Sequence, residues 1–228
     1  MTPLGTPRLH LRITDSTNTR ARELAAAGAP HGTLVTAAEQ SAGRGRQGRT
    51  WAAPPGRALL CSVVVRHPPP LLSLVAGVAT AEAVGREARL KWPNDVWLDG
   101  RKVAGILVEG RPQEGWAIVG VGINVAVRLE ELPPGLAATA GTLGLGPEAI
   151  EPLLARLLDA LQRWLGAPFE EMLAAVRARD ALLGQTITWA GGTGRGAGID
   201  AHGRLLVETP DGRQALNAGE VHLKRPTR

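Results

Sequence analysis

Residues 116–125 read WAIVGVGINV, and the two faces of this segment differ when it is taken by parity. Successive side chains of a strand point to opposite sides. Ala117, Val119, Val121, Ile123 and Val125 therefore form one wholly apolar face, which predicts core. The other face carries Ile118, Gly120, Gly122 and Asn124 and is nearly bare. Glycine weakens a strand interior, and close approach by a ligand or by another backbone is a usual reason for it. A bare strip ending in an amide reads as the floor of a binding cleft, and tight packing against a helix reads the same way.

Working outward, 96–98 and 102–109 form a hairpin pattern around Asp99-Gly100, a strong type I′ turn signal. Regular alternation predicts that Lys102 shares a strand face with Ala104, Ile106 and Val108 and points at a semi-buried ligand. A solvated strand-end lysine is the other reading. Upstream, residues 9–13 alternate as a short strand. Asp15, Ser16 and Thr17 supply N-cap chemistry for a helix running to about Ala27, closed by Gly28. Residues 33–38 and 58–66 read as strands, and Pro70 precedes an amphipathic helix over roughly 71–87. Downstream of a Pro/Gly-rich loop at 132–146, helices are expected at about 152–165 and 168–183. From Gly184 the texture changes to short β-like pieces at 186–189, 197–200, 205–208, 214–216 and 221–224. That spacing suggests a small β-barrel, so the expected domains are 1–183 and 184–228.

With 228 residues, 44% of them hydrophobic, the chain can bury a substantial core. Its single cysteine, Cys61, lies in the apolar stretch 58–66 and reads as a buried core thiol. No intrachain disulfide or cysteine-rich metal site is available. The 26 basic against 21 acidic residues leave a formal charge of +5. Such a balance favours nucleic acid, phosphate-bearing ligands or acidic proteins without choosing among them. Met1–Arg12 lacks the apolar core of a signal peptide, and 116–127 is far short of the roughly 20 apolar residues that span a bilayer. A soluble, cytoplasmic protein without membrane association is expected. The histidines show no metal spacing, so no protein-held metal is expected, and neither a GxxxxGK[ST] loop nor a Ser/His/Asp arrangement stands out.

Two further segments carry chemistry. Residues 39–51 read EQSAGRGRQGRTW. Gly43, Gly45 and Gly48 let the backbone turn and approach a ligand closely. Arg44, Arg46 and Arg49 offer planar, permanently charged forks for carboxylate or phosphate. The composition fits an anion-binding loop that orders over its ligand, an Arg/Gly nucleic-acid segment, or a solvated loop. Residues 91–95 read KWPND. Pro93 biases Trp92 toward extended geometry and Asn94-Asp95 favours a turn, placing Lys91 and Lys102 at opposite ends of one turn–hairpin unit.

Ser16-Thr17-Asn18, 39–51, 91–95, 101–109 (RKVAGILVE) and 120–124 (GVGIN), in that order, resemble the biotin–protein ligase family. The resemblance implies an α+β fold: a mixed β-sheet flanked by helices in a class II aminoacyl-tRNA synthetase-like catalytic domain, with a small C-terminal SH3-like β-barrel. It implies biotin and ATP as substrates with Mg²⁺, and biotin transfer to a lysine of a biotin carboxyl carrier protein. It also assigns roles. Ser16, Thr17, Asn18 and Gln40 would hold the biotin head group, while Arg44, Gly45 and Arg46 would close over biotin and the phosphates. Lys102 would meet the carboxylate and then the acyl phosphate. Lys91, Asn94, Asn124 and Trp51 would serve ATP or the adenylate. Family members are often dimers through their sheets. Met1–Asp15 is too short for the helix-turn-helix domain of the repressor members, so the monofunctional type without specific DNA binding is expected. A lipoate or octanoate ligase on the same fold, and a nucleic-acid-binding protein, are the competing readings.

Overall fold

The structure is a computed structural model and describes residues 3–217 and 219–223. Its framework is a seven-stranded mixed sheet in the order β1-β2-β3-β7-β6-β5-β4. The strands are β1 (Arg8–Thr14), β2 (Leu34–Gln40), β3 (Ala58–Arg66), β4 (Arg89–Lys91), β5 (Asp95–Leu98), β6 (Arg101–Arg111) and β7 (Trp116–Asn124). Only β1 and β2 pair in parallel. They are joined by α1 (Thr17–Ala26), because a parallel pair needs a crossover while antiparallel neighbours close through tight turns. One such turn is Asp99-Gly100, both at positive φ, as the hairpin pattern requires. α1 ends as expected at Gly28, with φ +89°.

The helices divide between the two faces. α2 (Leu72–Val84), α4 (Ile150–Leu165) and α5 (Phe169–Ala178) cover one face. There the odd residues of β7 from Ala117 to Val125 join the main core, as parity predicts. α4 shows why the layer holds: Leu153, Leu154, Leu157, Ala160 and Leu161 fall on one stripe and are buried. Truncating Leu157 to alanine would cost about 2–5 kcal/mol. α1 covers part of the opposite face through Ala21 and Ala25, which pack on Val35, Val64 and Ile118. Beyond its end that face is left open.

Several expectations change. α2 is not amphipathic, because ten of its residues are buried on all sides under α4 and α5. α5 stops at Ala178 because the following chain turns extended and bonds the edge of β4, Leu90 donating to Arg179 O at 2.7 Å and Ala181 to Leu90 O at 2.8 Å. That cover protects an edge strand whose three residues gave no signal of their own. The expected loop at 132–146 contains a short helix, α3 (Pro134–Ala137).

The C-terminal strands are β8 (Thr186–Trp189), β9 (Gly192–Ile199), β10 (Leu205–Thr209), β11 (Gly212–Leu216) and β12 (His222–Leu223). They form an antiparallel sheet in the order β11-β10-β9-β8-β12, and among the described residues β11 and β12 are not paired into a closed barrel. Lys224, expected at the end of the last strand, lies outside the described residues. Ile187, Ile199, Leu205, Val207 and Val221 share the main core cluster, so this sheet is docked by apolar burial. Among the described residues no helix is long and apolar enough to cross a membrane.

Candidate active site

On the open part of the α1 face lies a cleft of about 550 Å³, within the range of small-molecule sites. Its floor is the bare face of β7. A Cβ on Gly120 would stand 2.0 Å from Asn18 Oδ1, and one on Gly122 would stand 2.5 Å from Trp51 Cε2. Both glycines are therefore spaces into which other side chains reach. All twelve residues expected from the sequence line the cleft: Ser16, Thr17, Asn18, Gln40, Arg44, Gly45, Arg46, Trp51, Lys91, Asn94, Lys102 and Asn124.

One end is lined by neutral, mostly buried side chains that bond one another. Ser16, Thr17 and Asn18 open α1 and are all buried. The Gln40 carbonyl oxygen accepts from the Thr17 amide at 2.8 Å and from its hydroxyl at 3.1 Å. Ser62 lies 2.6 Å from Asn18 Oδ1 and 2.8 Å from Thr17 Oγ1. Asn18 Nδ2 donates to Leu107 O at 3.2 Å and to Glu109 at 2.8 Å. With both its hydrogens committed, Asn18 turns its acceptor toward the cleft floor. Gln40 does the reverse, since its oxygen is taken and its Nε2 makes no protein hydrogen bond among the described residues.

The other end is cationic. The loop 43–51 folds as a small hairpin: Gly45 donates to Arg49 O at 2.7 Å, and Trp51 to Gly43 O at 2.9 Å. Gln47 and Gly48 turn at positive φ. Arg46 donates to Asn94 Oδ1 at 3.1 Å, and Asn94 in turn donates to Ile106 O at 2.8 Å. Arg49 pairs with Glu220 from the C-terminal sheet. Lys102 Nζ sits 2.7 Å from Asp95 and 5.7 Å from the Trp51 ring centre. Lys91 lies 5.5 Å over Trp97. Burial lowers the Lys91 pKa, against the opposing pull of Asp95. Among the described residues, Arg44 Nε, Trp51 Nε1, Trp97 Nε1 and Asn124 Oδ1 are buried without a partner, and all four belong to residues lining the cleft.

Lys102 reaches the cleft by a different route from the one alternation predicts. Asp95 pairs with Gly105 and Val96 with Ala104, but Trp97 pairs with Lys102, so β6 carries one extra residue, Val103. Across this bulge Lys102, opposite Trp97, shares the face of Gly105, whose Cβ would stand 3.3 Å from Lys102 Nζ. Ala104 and Ile106 face the core instead. Cys61 is a core thiol as expected, pushed up to about 12 by burial.

Sequence reasoning missed Ser62, Asp95 and Glu109. Ser62 had a signal, being the single polar residue in the apolar run 58–65 and standing opposite Gly120 in the ladder. Glu109 lies within a quoted motif but its contacts join segments distant in sequence, whereas Asp95 meets Lys102 within one hairpin, across a bulge that simple alternation does not anticipate.

A sheet floor stripped to glycine, with an amide cluster at one end and a cationic hairpin at the other, matches a class of ligases that act on small carboxylic acids. Residues 10–125 match the model of the biotin/lipoate A/B protein ligase family, and residues 175–224 match the biotin protein ligase C-terminal domain. The chain belongs to the biotin–protein ligase family. It is 37% identical to the biotin–[acetyl-CoA-carboxylase] ligase of Paracoccus denitrificans, over 92% of this chain and 98% of that one. To the bifunctional ligase/repressor of Bacillus subtilis it is 31% identical, over 96% of this chain and 75% of the relative. The biotin protein ligase of Aquifex aeolicus, solved with biotin and ATP, superposes with a TM-score of 0.80 at 29% identity, covering 96% of this chain and 99% of that chain.

Proposed function

We propose that this protein activates biotin with ATP to biotinyl-5′-AMP and transfers the biotinyl group to a lysine of a biotin carboxyl carrier domain. The observation that carries this reading is the polarity of the amide cluster. Gln40 Nε2 is left as a donor and Asn18 Oδ1 as an acceptor, with the buried Ser16 hydroxyl free for either role. A ureido group offers the matching carbonyl and N–H groups. A dithiolane ring or an alkyl chain offers neither, so Gln40 Nε2 and the Ser16 hydroxyl would gain no partner from it and Asn18 Oδ1 would keep only its bond from Ser62.

The cationic end then has an electrostatic task. A carboxylate must attack the α-phosphate of ATP, and the two anions repel. Arg44, Arg46 and Lys102 line the same cleft, with Lys102 beside Gly105. There they would neutralise the charge and align the two groups, which is where most of the rate gain in such a step arises. Trp51, Lys91, Asn94 and Asn124 would hold the nucleotide. Among the described residues no grouping of three or more His, Cys, Asp or Glu could hold a metal ion, and Asp95 is engaged by Lys102. The donors do not fit a resident magnesium, so magnesium would arrive on the phosphates as part of the nucleotide substrate. The mixed anhydride is attacked by the carrier's lysine amine, releasing AMP, with no covalent enzyme intermediate. We assign 1–183 as the catalytic domain and 184–228 as the small C-terminal domain.

ATP–pyrophosphate exchange tests the proposal. It should require biotin, and lipoate or octanoate should not replace it. Exchange without biotin, or with lipoate alone, overturns the assignment.

A further inference from the structure

Glu109 lies outside the cleft lining, near the end of β6, yet two cleft residues depend on its carboxylate. Its Oε2 accepts from Asn18 Nδ2 at 2.8 Å and from Arg44 Nη2 at 2.8 Å, while Oε1 lies 3.8 Å from Arg22 Nη1. The first bond decides which way the Asn18 amide faces. With Nδ2 held by Glu109 and Leu107 O, Oδ1 is the atom presented over Gly120. The second bond holds the Arg44 guanidinium. Nη2 is taken by the carboxylate and Nε is buried, so the guanidinium is anchored along that edge in the cleft wall.

We propose that Glu109 is a positioning residue for biotin. Through one carboxylate it presents Asn18 as an acceptor to the ureido N–H and holds the Arg44 guanidinium in the cleft wall, without touching the ligand itself. The inference rests on the biotin reading above. It differs from a structural role because one group it orients, Asn18, serves the acid's head group only, and the other, Arg44, stands where the acid meets the phosphate. Asn94, Lys91 and Asn124 are held by other partners, so the nucleotide end should be indifferent to Glu109.

Glu109→Gln keeps the shape but replaces one acceptor with a donor, which would face the Asn18 amide or the guanidinium. The Kd for biotin alone, by calorimetry, should rise about 10- to 30-fold, the scale of one or two charge-assisted bonds. In ATP–pyrophosphate exchange the KM for biotin should rise similarly. The KM for ATP should stay within about twofold of wild type and Tm should hardly move, while kcat at saturating biotin falls less than biotin affinity, through Arg44 alone. Glu109→Asp keeps the charge but withdraws it by one methylene, so it should fall between the two. It also serves as the test should the glutamine variant fold poorly. A biotin Kd unchanged in both folded variants overturns the proposal. So does a parallel rise in the KM for ATP, which would mark Glu109 as a general support of the sheet. Wild-type protein showing no biotin-dependent exchange would instead overturn the functional reading, a result distinguishable from either.

Discussion

The two ends of the cleft are built by opposite means. At the amide end every recognising side chain springs from regular structure, and Thr17, Asn18, Gln40 and Ser62 bond one another. At the cationic end Arg44, Arg46 and Arg49 hang from a short hairpin, each partly in reach of solvent and Arg49 the most, and each holds on through one or two polar contacts. Recognition of a neutral head group needs atoms fixed in direction, since its selectivity lies in leaving no buried donor or acceptor unpaired. Anion handling needs charge that can follow a reacting group, and long cationic side chains on a loop provide it. The division suggests that changes at the first end alter which acid is accepted, while changes at the second alter what happens to it.

Lys102→Ala should show the largest effect, because this amine lies where carboxylate and phosphate meet. Adenylate formation, measured in single turnover, should fall by ~10²–10³. Stability should fall as well, since Asp95 is buried and loses its counter-ion. Adding Asp95→Asn should restore Tm but not rate. A double variant that recovers both would mean that the pair is structural only.

Gly120→Ala attacks the rigid end. The new methyl would stand 2.0 Å from Asn18 Oδ1, so Asn18 has to leave its bonds to Ser62 and Glu109. Biotin affinity by calorimetry should drop about 10- to 100-fold, while ATP binding persists. If biotin bound as tightly as before, the amide cluster would be adaptable and the contrast between the two ends would fail.

Arg46→Gly probes the movable end. It removes the bond to Asn94 and makes the closed loop entropically costlier, which weakens adenylate retention about 10- to 100-fold. Some adenylate should still form through Arg44 and Lys102. With ATP, biotin and albumin present, the variant should label the albumin more than wild type does, and added free amines should suppress the signal. No adenylate at all would place Arg46 in the chemical step. The smallest effect is expected for Arg49→Ala, whose ion pair with Glu220 is partly exposed on both sides. Such pairs contribute at most about 1 kcal/mol, so Tm should shift by only a few degrees. A collapse of activity there would make the C-terminal sheet a partner in catalysis.

How far the sequence could be read follows from where the backbone is regular. β7 runs opposite β3 in an unbroken ladder from Trp116 to Asn124, so counting by twos separated core from floor correctly. The same counting failed on β6, because one extra residue reverses the parity of Lys102 relative to Ala104 and Ile106. The expectation of an amphipathic α2 fails because residues 71–80 carry no charge. Its polar remainder is small enough to be covered by α4 and α5. Glu109 escaped notice because its partners lie 91 and 65 residues away, and nothing local marks a glutamate at a strand end as a cross-sheet acceptor.

The bulge at Val103 also has a consequence for altering this protein by length. Without Val103, Lys102 would follow Ala104 in an unbroken ladder, still opposite Trp97 and still on the side of Gly105. The extra residue thus leaves the orientation of the lysine unchanged and supplies instead a bend in the strand and one more buried apolar side chain. A chain shortened by that one residue would keep its chemical inventory while straightening the rail on which the amine rides. Comparing it with the full-length chain would show how much of catalysis is owed to that bend and the core side chain it carries.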